Sequence, residues 1–145
     1  MALPDGAAGK GSVRKKFQNI DLGNTSKIVS LARKGLKPTM FYLFAGLVNM
    51  SEKTLADLLH IHPRTISNYK EQQRNLAPVE SEHLLKLIAL FAKGEEVFGN
   101  IDEFNYWIQK PSWGSKERPV DWLITPGGVD LVSIELDRLA HGYVA

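Results

Sequence analysis

At 145 residues the chain can bury one core or two small ones, but not a large catalytic domain with its own cofactor site. Its 43% hydrophobic and 23% charged content is that of a folded protein, and the lack of cysteine excludes disulfides, thiolate metal sites and thiol catalysis, in keeping with the reducing cytoplasm. The net charge of +2 is unevenly split: residues 1–78 hold twelve basic and five acidic side chains (net +7), and residues 79–145 hold six and eleven (net −5). A basic half joined to an acidic half points to two kinds of partner, the first of them polyanionic.

Residues 1–11 lack the apolar core of a signal peptide, and with breakers and no hydrophobic period the stretch to about Phe17 reads as a flexible basic tail, assigned as residues 1–24. A helix follows with Thr25 or Ser26 as N-cap, Ile28, Leu31 and Ala32 on one face, and Gly35 as its stop. Pro38 starts a second helix with Met40, Phe41, Phe44, Leu47 and Val48 as its buried stripe, and Ser51 begins a third. Pro78 opens an unusually apolar helix, weakened at Gly94 and ending near Gly99 and Asn100. Its longest apolar run, residues 84–92, is interrupted by Lys86 and too short to cross a bilayer, so no membrane association is expected. Residues 101–109 form a short helix, 110–119 a turn region and 121–124 a further turn; Thr125 then caps a last helix with Val129, Val132, Leu136, Leu139, Ala140 and Tyr143 on its apolar face. No useful β-alternation appears, so the fold class is all-α.

Residues 52–70 carry a helix-turn-helix pattern. Leu55, Leu59, Ile61, Ile66 and Tyr69 stand where two short crossed helices bury side chains, Ala56 is small at the closest approach, and His60 occupies the turn position that favours a left-handed backbone. Pro63 starts the second helix, which leaves Arg64, Thr65, Ser67, Asn68 and Lys70 outward. Arg can pair with guanine, Asn with adenine, and Ser, Thr and Lys with phosphates or base edges. With Lys53 and His62 these residues make the candidate DNA-contacting set; the plainer alternative is a helical hairpin with a solvated face. His60 and His62, two apart on a turn without cysteine, read as turn and cap residues rather than metal ligands. With no Gly-rich phosphate loop, nucleophile–base set or metal cluster, neither enzymatic activity nor a cofactor is expected.

Glu95 to Gly99, Trp107 followed by Pro111, the run Arg118-Pro-Val-Asp-Trp-Leu123, then Thr125, Gly128, Val132, Leu136 and the ending Arg138-Leu-Ala-His-Gly-Tyr-Val-Ala145 form a second pattern. It resembles the toxin-binding domain of the Xre/MbcA/ParS antitoxin family over roughly residues 75–145, and the upstream helices resemble the helix-turn-helix module that accompanies it. The resemblance implies a type II antitoxin with a helix-turn-helix module at 25–77 and a toxin-binding and dimerisation domain at 78–145. Its implied partner is an NAD-degrading RES-domain toxin whose pocket the C-terminal segment covers, with Arg138, His141, Gly142, Tyr143, Val144 and Ala145 as contacts. The apolar excess of residues 84–91 leads us to expect a homodimer with this helix or the 129–139 face in its interface, binding the double-stranded DNA of its own promoter. The alternative is a dimeric helix-turn-helix transcriptional regulator without a toxin partner.

Overall fold

The computed structural model describes residues 12–111 and 116–142, and among these every regular element is helical. In chain order they are α1 (Val13–Lys16), α2 (Thr25–Lys34), α3 (Pro38–Leu47), α4 (Glu52–Leu59), α5 (Pro63–Glu71), α6 (Pro78–Phe98), α7 (Ile101–Ile108), a 3-10 helix (Pro119–Ile124) and α8 (Pro126–Ala140). The starts follow local chemistry. Asn24, Ser51, Asn100 and Thr125 accept a backbone N–H of the first turn with their side chains, and α3, α5, α6 and α8 each carry Pro in the first turn.

The 21-residue α6 is the axis of the molecule. Leu84, Leu85, Leu87, Ile88, Leu90 and Phe91 are all buried because α2 and α1, α7, α8 and α4 pack around the helix. The expectation that this apolar excess marks a dimer interface is therefore corrected: the chain's own helices consume it. Val129, Val132 and Leu136 of α8 face the same core, and of the 129–139 face only Leu139 is left half-exposed. Gly94 does not interrupt the helix either, because the ring of Phe104 packs where a Cβ would stand. No helix of the described residues is long and apolar enough to cross a membrane.

The assignment of residues 12–24 to a flexible tail is likewise corrected. Ser12 caps α1, and Val13 and Phe17, one helical turn apart, are 1% and 2% exposed in the core. The Val13 N–H donates to Glu95 Oε1 at 3.1 Å, and Arg14 pairs with Glu96 at 3.5 Å. The basic start of the described chain thus docks on the acidic end of α6. Two apolar residues at the right spacing, plus a carboxylate for the free N–H groups, outweigh the breakers around them.

Two histidines, His60 at the end of α4 and His83 on α6, hold the carbonyls at the end of the 3-10 helix. His83 Nε2 donates to the Leu123 carbonyl at 2.8 Å in the interior, and His60 Nε2 meets the Ile124 carbonyl at 2.7 Å near the surface. Burial, offset in part by the bond to Leu123 and reinforced by His60 and Lys86, holds the His83 ring below the ordinary histidine range of 6.5. The fold therefore favours neutral His83, whereas the unfolded chain takes up the proton first as pH falls. The stabilisation is complete above the unfolded value and is lost as pH drops from it toward the folded one. We expect the denaturation midpoint to fall as pH drops below about 6.5. His83→Gln, which keeps an N–H donor but cannot titrate there, is expected to flatten that dependence; an equal slope in both proteins would count against it. Asp121, held below its usual range by Arg118, acts in a separate window that opens only below about pH 4.

Candidate nucleic-acid interface

The helix-turn-helix is α4, a turn and α5, braced by α3. Leu55, Ala56, Leu59 and Ile66 are buried at the crossing, with Ile61 and Tyr69 partly so. His60 takes the left-handed conformation (φ 59°, ψ 39°) that ends α4, and its N–H donates to the Asp57 carbonyl. His62 is the N-cap of α5: its Nδ1 accepts the Arg64 N–H at 3.0 Å. That bond fixes the start of α5 and leaves the other ring edge facing outward beside Pro63.

Ile66 points inward, so the opposite face of α5 carries Arg64, Ser67, Asn68 and Glu71, all exposed, with Thr65 half-buried at its edge. Arg64, Asn68 and Ser67 therefore share one face with the reach and hydrogen-bonding groups that base edges require. Glu71, at the C-terminal end of this face, has a carboxylate that sequence reasoning did not weigh, and it favours the N-terminal half of α5 as the part nearest a polyanion. Lys53 lies across the α4–α5 groove, which it lines with Asp57, His60, Ile61, His62 and Pro63, and its ammonium is 3.0 Å from Asp57. Lys70 turns toward the flank, its ammonium 5.1 Å from the centre of the Tyr42 ring on α3. Burial, and after it the charge of Glu52, push the Tyr42 phenol above its usual range, which keeps the ring neutral beneath that cation. Lys53 thus stands by the groove at the start of α5, and Lys70 near the end of α5 beside α3.

Residues 27–89 match the antitoxin Xre-like helix-turn-helix domain. The matched segment runs from α2 through α5 and ends inside α6, so it takes in the complete crossing and the part of the axial helix that supports it. No curated protein matches the chain. The match supports a toxin–antitoxin or helix-turn-helix regulator role.

The C-terminal candidate residues lie well away, on α8 and beyond. Arg138 is exposed and paired with Glu135 at 3.1 Å; Lys86 and Lys93 of α6 are paired with Asp130 and Asp137 of α8 at 2.9 Å each. His141 caps α8, its Nδ1 2.7 Å from the Asp137 carbonyl, and Gly142 follows at φ 72°, a left-handed turn that redirects the chain. Leu131 and Ile134, each nearly half exposed, share the outward face of α8 with Arg138. These two apolar residues were missed from the sequence, where α8 was read for its inward stripe alone. Tyr143, Val144 and Ala145 lie outside the described residues.

Proposed function

We propose that the chain is the antitoxin of a type II toxin–antitoxin pair, that α5 reads the promoter of its own operon, and that the segment from Arg138 to Ala145 neutralises a RES-domain toxin by covering its NAD pocket. The observation that carries the reading is the coincidence of the Xre-like antitoxin match at 27–89 with an exposed α5 face bearing Arg64, Ser67 and Asn68. Residues 79–145, net −5, suit a basic cleft, and the outward Leu131, Ile134 and Arg138 offer an apolar docking stripe with a cation at its end. Gly142, left-handed at φ 72°, ends the helical run of α8 just before the segment assigned to the pocket. Two copies on a palindrome give one short recognition helix per half-site, which is why a homodimer remains part of the proposal.

The test pairs the purified chain with the RES-domain toxin encoded beside it. Wild type is expected to bind the toxin and preserve NAD. A variant lacking residues 141–145 should keep its fold and its docking yet leave most of the NAD unprotected, with milder defects for Arg138→Ala and Tyr143→Ala. Full protection by the truncated protein would withdraw the pocket-covering role. On DNA, Arg64→Ala should cost about 1–3 kcal/mol on the promoter and relax sequence preference. A regulator without a toxin partner would keep the DNA result and leave NAD consumption untouched.

A further inference from the structure

The flank of α5 that carries Lys70 continues beyond the recognition helix into a basic surface drawn from three separate segments. After α5 the chain turns through Gln73, left-handed at φ 57°, which brings the Arg74 guanidinium over the Tyr69 ring at 4.4 Å. The next residues are stitched to the α2–α3 turn. Asn75 Nδ2 donates to the carbonyls of Lys34 and Gly35 at 3.3 Å each, and the Leu76 N–H donates to the Leu36 carbonyl at 2.8 Å. The fully buried Ser81 accepts the Leu36 N–H at 2.9 Å and donates to the Leu76 carbonyl at 3.2 Å. Gly35 permits this approach: at φ 87°, a Cβ there would stand 2.6 Å from the Leu76 oxygen. The backbone stretch that carries Lys34 and Lys37 is thereby held against the one that carries Arg74, and Tyr42, just over a turn beyond Lys37 on α3, carries Lys70.

We propose that Lys34, Lys37, Lys70 and Arg74 form a clamp for the phosphate backbone of duplex DNA, gripping the strand that borders the groove α5 enters. All four are exposed, and none takes part in a salt bridge among the described residues, whereas Lys53, Lys86, Lys93, Arg118 and Arg138 all do. Glu52 influences Tyr42 and Glu71 follows Lys70, yet neither pairs with the four cations. The surface is continuous with α5 through Lys70 itself, which selects nucleic acid over an acidic protein as its occupant. Hydrogen bonds hold the two turns together before any ligand arrives, so little ordering is required on binding. The clamp rests on the reading that α5 faces DNA, and it adds affinity without sequence preference.

The experiment measures binding of the full chain to its promoter duplex and to a random duplex of equal length, across a series of salt concentrations. Lys34→Gln/Lys37→Gln and Arg74→Gln, separately and combined, are compared with Arg64→Ala. The clamp variants should weaken both duplexes by the same factor and lower the slope of log affinity against log salt by about 0.9 for each phosphate no longer neutralised. Arg64→Ala should instead narrow the gap between promoter and random DNA. Unchanged slopes in the clamp variants with the Arg64 effect intact would overturn the clamp and leave the reading of α5 standing. No effect from either class would remove both. Abolished toxin binding with unaltered DNA slopes would reassign the patch to a protein partner and also overturn it. Circular dichroism of these surface variants checks that the fold persists, and Arg74→Lys, which keeps the charge, should retain most of the slope.

Discussion

Phe91→Ala is expected to destabilise the chain by about 3–5 kcal/mol, a large part of what holds a domain of this size together. Phe91 is fully buried on α6 and packs edge-on against Phe44 of α3 at 5.4 Å and against Phe104 of α7 at 5.0 Å, in each case with rings nearly perpendicular. Truncation removes both edge-to-face pairings and leaves a cavity walled by helices that α6 holds apart, so collapse around it is limited. The corresponding drop in thermal midpoint is on the order of 10 °C or more. Phe91→Leu, which refills most of the volume, should cost no more than about 1.5 kcal/mol. The checks are thermal and denaturant unfolding; equal midpoints for the Ala and Leu variants would mean that the volume filled at this position is not what sets the cost.

A second large effect is expected at adjacent glycines, with opposite signs. Both Gly127 and Gly128 lie in the first turn of α8, and on helix propensity alone Gly→Ala would favour each by up to about 1 kcal/mol. Gly127 has open space where a Cβ would go, so Gly127→Ala should be neutral or slightly stabilising. Gly128 has none: a Cβ would overlap the backbone carbonyl of Trp122 and crowd Thr125 Oγ1, the capping oxygen of the same helix. That carbonyl cannot move aside freely, because those of Leu123 and Ile124, its neighbours in the 3-10 helix, are held by His83 and His60. Gly128→Ala should therefore cost about 3 kcal/mol. Urea midpoints at constant slope measure both, and matching values would show that the 3-10 helix yields.

Much of the architecture was legible because its signals are local. Caps and Pro at helix starts placed the beginnings of α2, α3, α6 and α8 to within a residue or so, whereas α8 stops at Ala140, short of the apolar face read on to Tyr143; the αL His60 and capping His62 follow from the turn chemistry of residues 59–63. The orientation of α5 was legible from Ile66 and Tyr69, which the fold buries fully and in part. What could not be read was which apolar surfaces would meet. The excess on α6 looks like an oligomer interface until α2, α7 and α8 are wrapped around it, and Val13 with Phe17 looks like tail until Glu95, 82 residues from Val13, supplies an acceptor for its N–H. Ser12, Val13 and Phe17 did carry a signal, a cap followed by two apolar residues one turn apart, but it was outweighed by the Gly-rich stretch before it. Charges behaved similarly: Lys70 was counted as outward, and only the approach of α3 turns it over Tyr42 to the flank.

The buried residues form one unbroken cluster running from Val13 to Leu136, with α6 shared by everything on either side of it. A protease that cut between α5 and α6, or trimmed α8 back into its buried stripe, would therefore free no fragment that keeps its fold, since the remaining helices would lose the wall they lean on. Degradation of such a molecule is all-or-none: one early cut unravels both halves together, and no partly trimmed form persists between the intact chain and its peptides.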